Sequence, residues 1–87
     1  MHLGDVGTRI WLDCKDDVSL ATTTEIHALK PDGTPVVWPA QIDGQGVYYI
    51  TQAGDIDQPG RWTLQSYVVL PDWRGHGDTE ILVVARS

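Results

Sequence analysis

The residues best equipped for chemistry in this chain are a histidine between carboxylates, two aspartates two apart, and a lone cysteine. His76 lies in "PDWRGHGD" with Asp72 before it and Asp78 after it, which offers an imidazole base with an orienting carboxylate. No nucleophile is placed by the same logic, and a histidine flanked by glycines reads as a solvated loop tip. Asp55 and Asp57 in "GDIDQPG" are spaced as in calcium loops. Calcium, however, takes about 6–8 oxygens, usually from a defined loop, and the EF-hand spacing is absent. Asp55 reads better as an Asx-turn or capping residue. Cys14 alternates with Ile10 and Leu12 and reads as a small core residue. The expectation is a protein without catalytic, cofactor-binding or metal-ligating residues, hence not an enzyme.

Composition narrows the partners. Six basic residues against twelve acidic ones give a net charge of −6, and the six are scattered rather than clustered. A nucleic-acid binder needs a basic face to displace counterions from phosphates, so no nucleic acid is expected. The acidity serves solubility or complements a basic partner. With 87 residues the chain can form one domain, residues 1–87, with one modest core. One cysteine excludes an internal disulfide, which fits folding inside a cell or a scaffold that needs no disulfide. The start "MHLGDVGTRIWLDC" has neither a basic n-region nor a long apolar h-region. No later run approaches the roughly 20 apolar residues that span a bilayer, so no signal peptide and no membrane association are expected.

The elements that must position these residues are short and regularly punctuated. "GTRIWLDC" alternates with Ile10, Leu12 and Cys14 on one side, the period of a half-buried strand. Val18 and Leu20 are expected to turn inward in the connection after it. "TEIHALK" alternates again with Ile26 and Ala28 inward and His27 outward. "KPDGT" is a tight-turn signal: Pro31 fixes φ, Asp32 closes an Asx turn and Gly33 accepts positive φ. "TPVVWPAQI" reads as a strand whose Pro39 places it at a sheet edge or beside a bulge, with Trp38 outward. "VYYITQ" is a compact strand, and "GDIDQPG" a corner with one helical turn that carries the chain between sheets. "RWTLQSYVVL" puts Trp62, Leu64, Ser66 and Val68 on one face. "PDWRGHGD" is a hairpin loop, and "TEILVVA" returns with Ile81, Val83 and Ala85 inward.

About seven short strands with turns every ten residues or so, and no helical period, predict an all-β sandwich or barrel, and the corner at Trp62 turns the expectation to an immunoglobulin-like antiparallel β-sandwich. Trp62 holds the place of the inward aromatic that pins the corner before the penultimate strand of such sandwiches. Its core companions are expected to be Ile10, Ile26, Leu64, Val68 and Val83, with "RWTLQSYVVL" and "TEILVVA" as the central pair of one sheet.

Residues "TEIHALKPDGTPVVWPA", then "YYITQAGDIDQPGRWTLQSYVVL" and "EILVVA", resemble the small immunoglobulin-like domains of tailed-bacteriophage structural proteins, such as the N-terminal domains of baseplate upper proteins. In that pattern a strand ends in Lys-Pro-Asp-Gly-Thr and a later corner reads Gly-Asp-Ile/Leu-Asp-x-x-Gly-x-Trp. The resemblance covers about Thr24 to Ala85. It implies a virion building block on tail, baseplate or fibre, made in the host cytoplasm, with other virion proteins as partners and a copy number set by virion symmetry.

Four tryptophans and no phenylalanine are unusual in so small a chain. Tryptophan and arginine anchor interfaces, so Trp38, Asp72, Trp73, Arg74 and His76 are the expected docking residues. The alternative reading is a small carbohydrate- or receptor-binding module in which an exposed row of Trp11, Trp38 and Trp73 stacks on sugar rings.

Overall fold

A computed structural model describes residues 1–86. It contains eight strands: β1 (Arg9–Asp13), β2 (Thr23–Leu29), β3 (Pro35–Pro39), β4 (Gln41–Asp43), β5 (Gly46–Ile50), β6 (Gly60–Leu70), β7 (Trp73–His76) and β8 (Glu80–Val84). They form two antiparallel sheets packed face to face, one ordered β1-β5-β4 and the other β3-β2-β6, with β7 and β8 both on the far edge of β6. The molecule measures 42 × 23 × 18 Å.

All eight strands are antiparallel and no helix is present among the described residues. β6 is long enough to pair Gly60–Leu64 with β8 and Tyr67–Leu70 with β7. β7 and β8 are therefore one strand position interrupted at Gly77–Thr79, which brings the total to seven. In the immunoglobulin order the smaller sheet then holds strands B, E and D and the larger sheet C′, C, F and G, with no strand A beside β1 among the described residues. The central pair of the larger sheet is β2–β6, not β6–β8, because β8 is an edge strand.

The turn chemistry acts as the residues dictate. Gly33 sits at φ 90°, Lys30 N–H donates to Thr34 O (2.9 Å), and the Asp32 carboxylate accepts from Thr34 N–H (2.9 Å). The "GDIDQPG" corner is a series of turns without the expected helical turn, and its Ile56 plugs the core. Asp55 accepts from Gln52 N–H (2.7 Å) and from the Tyr49 hydroxyl (2.5 Å). Asp57 instead pairs with Lys30, so the two carboxylates are committed to different partners.

Trp62 is fully buried, and its indole N–H donates to the carbonyl of Gln58 four residues upstream, 3.0 Å away. This is the corner bond of immunoglobulin sandwiches made with tryptophan in place of tyrosine. Ile10, Ile26, Leu64 and Val68 surround it in the buried cluster, joined by Leu12, Val18, Val47 and Ile56. Three expected placements are corrected. Trp38 is 3% exposed rather than outward: its register partner is the inward Ile26, and cross-strand partners share a face. Its ring stacks between Tyr49 (5.0 Å) and Trp62 (6.0 Å), so three rings bridge the sheets. Val83 is 60% exposed, and Val84 is buried in its stead. Leu82 pairs with Trp62 and shares its inward face, whereas Val83 pairs with the outward Arg61. Leu20 is likewise exposed at 73%, while Val18 turns inward.

Candidate functional site

β6 and β7 are joined by only two residues, Pro71 and Asp72, because Leu70 pairs directly with Trp73. What the sequence suggests is a loop is thus a tight hairpin, and strand pairing holds Trp73, Arg74 and His76 on its returning arm. Trp73 is 52% exposed. Its ring folds back over Gly75, where a Cβ would lie 2.8 Å from the indole, so this glycine lets the ring lie flat on the strand.

Beside the hairpin, the segment after β1 forms the other wall of a cleft of about 360 Å³. Cys14, Val68, Leu70 and Trp73 give it an apolar lining, with Asp16 and Asp72 among its polar groups. Asp17, Leu20, Pro71 and Asp72 border an adjoining hollow. Lys15 ties the two walls together through an ion pair with Asp78 (2.7 Å), which holds that carboxyl below its ordinary range. Cys14 packs against the core while its outer side faces the cleft. An exposed ring and exposed leucine beside the carboxylates of Asp16, Asp17 and Asp72 suit a partner that is apolar with a basic margin.

Asp72, Trp73 and Arg74 are brought together at this end, all exposed. Trp38 is not among them, being buried in the core. His76 lies on the outer face of the larger sheet, and its partners are neither Asp72 nor Asp78. Its Nε2 lies 2.8 Å from His27 Nδ1, and His27 Nε2 lies 3.0 Å from Glu25 Oε1. Tyr67 stacks on His27, with ring centroids 4.8 Å apart. A carboxylate only accepts, so His27 donates from Nε2, and in its neutral form it accepts at Nδ1 the Nε2–H of His76. The result is a Glu–His–His chain with, among the described residues, no nucleophile hydrogen-bonded to it. His27's two nitrogens point to different partners, and among the described residues no group of three or more His, Cys, Asp or Glu is placed to hold a metal ion. Sequence reading placed His27 outward but missed this cluster. The signal was available only through register, since Tyr67 pairs with both Glu25 and His76.

Comparison with protein-family models, curated proteins and solved structures yields no match to this chain.

Proposed function

We propose that this domain is a bacteriophage virion structural protein that docks onto neighbouring tail, baseplate or fibre proteins through the β6–β7 hairpin and its cleft. The observation that carries the reading is Trp73: a large ring, more than half exposed, at the rim of an apolar cleft with acidic surroundings. Such a ring costs solubility unless a partner covers it, and aromatic anchors of this kind supply most interface energy. The resemblance of the "KPDGT" turn and the "GDIDQPGRW" corner to tail-associated immunoglobulin-like domains supports the virion setting. The test is incorporation into particles. Trp73→Ala is expected to lower it while leaving the fold intact, and incorporation equal to the parent chain would refute the docking site.

The carbohydrate reading keeps one favourable observation. Trp11 lies flat against Gly46, where any Cβ would collide with its ring, and its indole N–H donates to Asp43 O (3.2 Å). With Trp38 buried, Trp11 and Trp73 belong to different sheets and form no row. Titrating glycans against tryptophan fluorescence separates the readings: saturable binding by the isolated domain would put sugar recognition ahead of virion docking.

A further inference from the structure

The two sheets end on edges of opposite character. In β3, Lys30 N–H bonds Thr34 O and Ala40 N–H bonds Thr24 O, so even-numbered residues turn their backbone groups toward β2. Pro35, Val37 and Pro39 turn theirs outward, and two of those three positions have no N–H. Proline there costs no ladder bond and blunts the edge against pairing.

In β1 the even-numbered residues likewise face the sheet, but none of the outward ones is a proline. Cys14 N–H bonds Gln45 O (2.8 Å) and Thr51 N–H bonds Thr8 O (3.0 Å), so even-numbered residues face β5. Arg9, Trp11 and Asp13 present all their N–H and C=O groups to the open side. The N-terminal segment does not cover them, because it runs to the end of β8 instead, where Leu3 N–H bonds Ala85 O (2.8 Å) and Ala85 N–H bonds Met1 O (2.8 Å). Along this edge runs a groove of about 520 Å³ whose apolar residues include Ile10, Leu12, Leu64 and Leu82. The Trp11 ring leans over Gly46 on β5, away from the opening.

We propose that β1 pairs with β1 of a second copy, antiparallel and centred on Trp11, joining two three-stranded sheets into one of six. The strand is self-complementary in this register alone. Outward-facing Trp11 meets Trp11 of the partner subunit, Arg9 lies opposite Asp13 of the partner subunit, and Asp13 opposite the partner's Arg9. On the inner side Ile10 meets the partner's Leu12. A shift of two residues either way loses both charge pairs. Such an isologous contact closes with two-fold symmetry. The inference stands apart from the docking reading, since it uses a different edge.

The experiment is sedimentation of the pure chain from about 10 µM to 1 mM, the range in which small interfaces dissociate. The apparent mass is expected to rise from 9.6 kDa toward twice that value. Arg9→Asp alone and Asp13→Arg alone each place like charges opposite one another twice and are expected to weaken self-association at least about tenfold. Mixed together they restore both pairs, so the mixture is expected to associate as the parent does. Because Arg9 also pairs with Asp43, the fold of each variant is checked by its melting curve. Amide exchange in the unmodified chain supplies a readout free of mutation: Arg9, Trp11 and Asp13 are expected to slow at high concentration and Val37 not to. A chain that stays monomeric at the highest concentration overturns the proposal and points to a strand from another protein as occupant. A dimer in which both single variants associate like the parent, or in which the three amides stay unprotected, overturns it as well.

Discussion

One strand, β6, does two different things along its length. Its first half, Gly60–Leu64, pairs along its whole length with β8, with β2 alongside Thr63 and Leu64, and carries Trp62, which bonds the corner that delivers the chain into the sheet. Its second half, Tyr67–Leu70, continues into a tight hairpin whose returning arm carries Trp73, exposed beside a cleft. A tryptophan stands at each end, Trp62 within the first half and Trp73 across the hairpin from the second, yet one ring is enclosed by the sheets and the other lies open. What separates them is register and position rather than residue type. Trp62 faces the second sheet, whereas Trp73 sits on the short outer arm beyond the reach of β8. The first half holds the fold together, and the second carries the proposed docking contact.

The sharpest way to break this contrast is at the buried rings. Trp62→Ala is expected to destabilise the domain by about 3–5 kcal/mol, a large share of the roughly 5–15 kcal/mol that small domains possess. Urea unfolding followed by circular dichroism measures it. Trp38→Ala is expected to cost a similar amount, since that ring is stacked between Tyr49 and Trp62. An unchanged midpoint for either variant would contradict the three-ring core.

Trp73→Ala tests the other half. The ring is half exposed, so unfolding stability is expected to stay within about 0.5 kcal/mol of the parent. Binding to the neighbouring virion protein is expected to weaken by about 2 kcal/mol. A large loss of stability instead would make Trp73 a structural residue.

Alkaline pH probes the core side by a smaller effect. Burial, then the hydrogen bond and charge of Asp55, push the Tyr49 phenol from its ordinary 10.0 up to about 12. The folded chain keeps a proton there that the unfolded chain releases, so this contribution is whole below about pH 10 and is lost as pH rises through about 12. Absorbance at the phenolate band should show a late step that Tyr49→Phe removes. The smallest expected effect lies on the outer face: Glu25→Gln keeps a hydrogen-bond acceptor for His27 and should change stability by less than about 1 kcal/mol. A larger loss would mean that the Glu–His–His chain supports the sheet.

Much of the fold was legible because its strands alternate. "RWTLQSYVV" admits one inward phase, and Trp62, Leu64, Ser66 and Val68 are all buried. "ILVV" admits two, since every residue is apolar, and only the pairing of Leu82 with Trp62 decides between them. Trp38 was misread because Pro39 beside it marks an edge, and edge position was equated with exposure. An edge strand still has an inward face, and Trp38 lies on it. At the candidate site, the exposure of Asp72, Trp73 and Arg74 followed from the turn residues around them. The cleft and the His27–His76 contact did not, because each joins segments far apart in sequence through packing or register. The interrupted strand β7–β8 was hidden by glycines that read as loop.

Electron cryo-microscopy of tailed particles assembled with this chain tests the central claim, docking through the β6–β7 hairpin, most directly. The account predicts density for the domain on the tail, baseplate or fibre, with Trp73 and Asp72 covered by a neighbouring virion protein and Trp62 enclosed between the sheets. Particles that lack the chain, or that hold it with the hairpin fully solvated and all contacts at the opposite end of the sandwich, would contradict it.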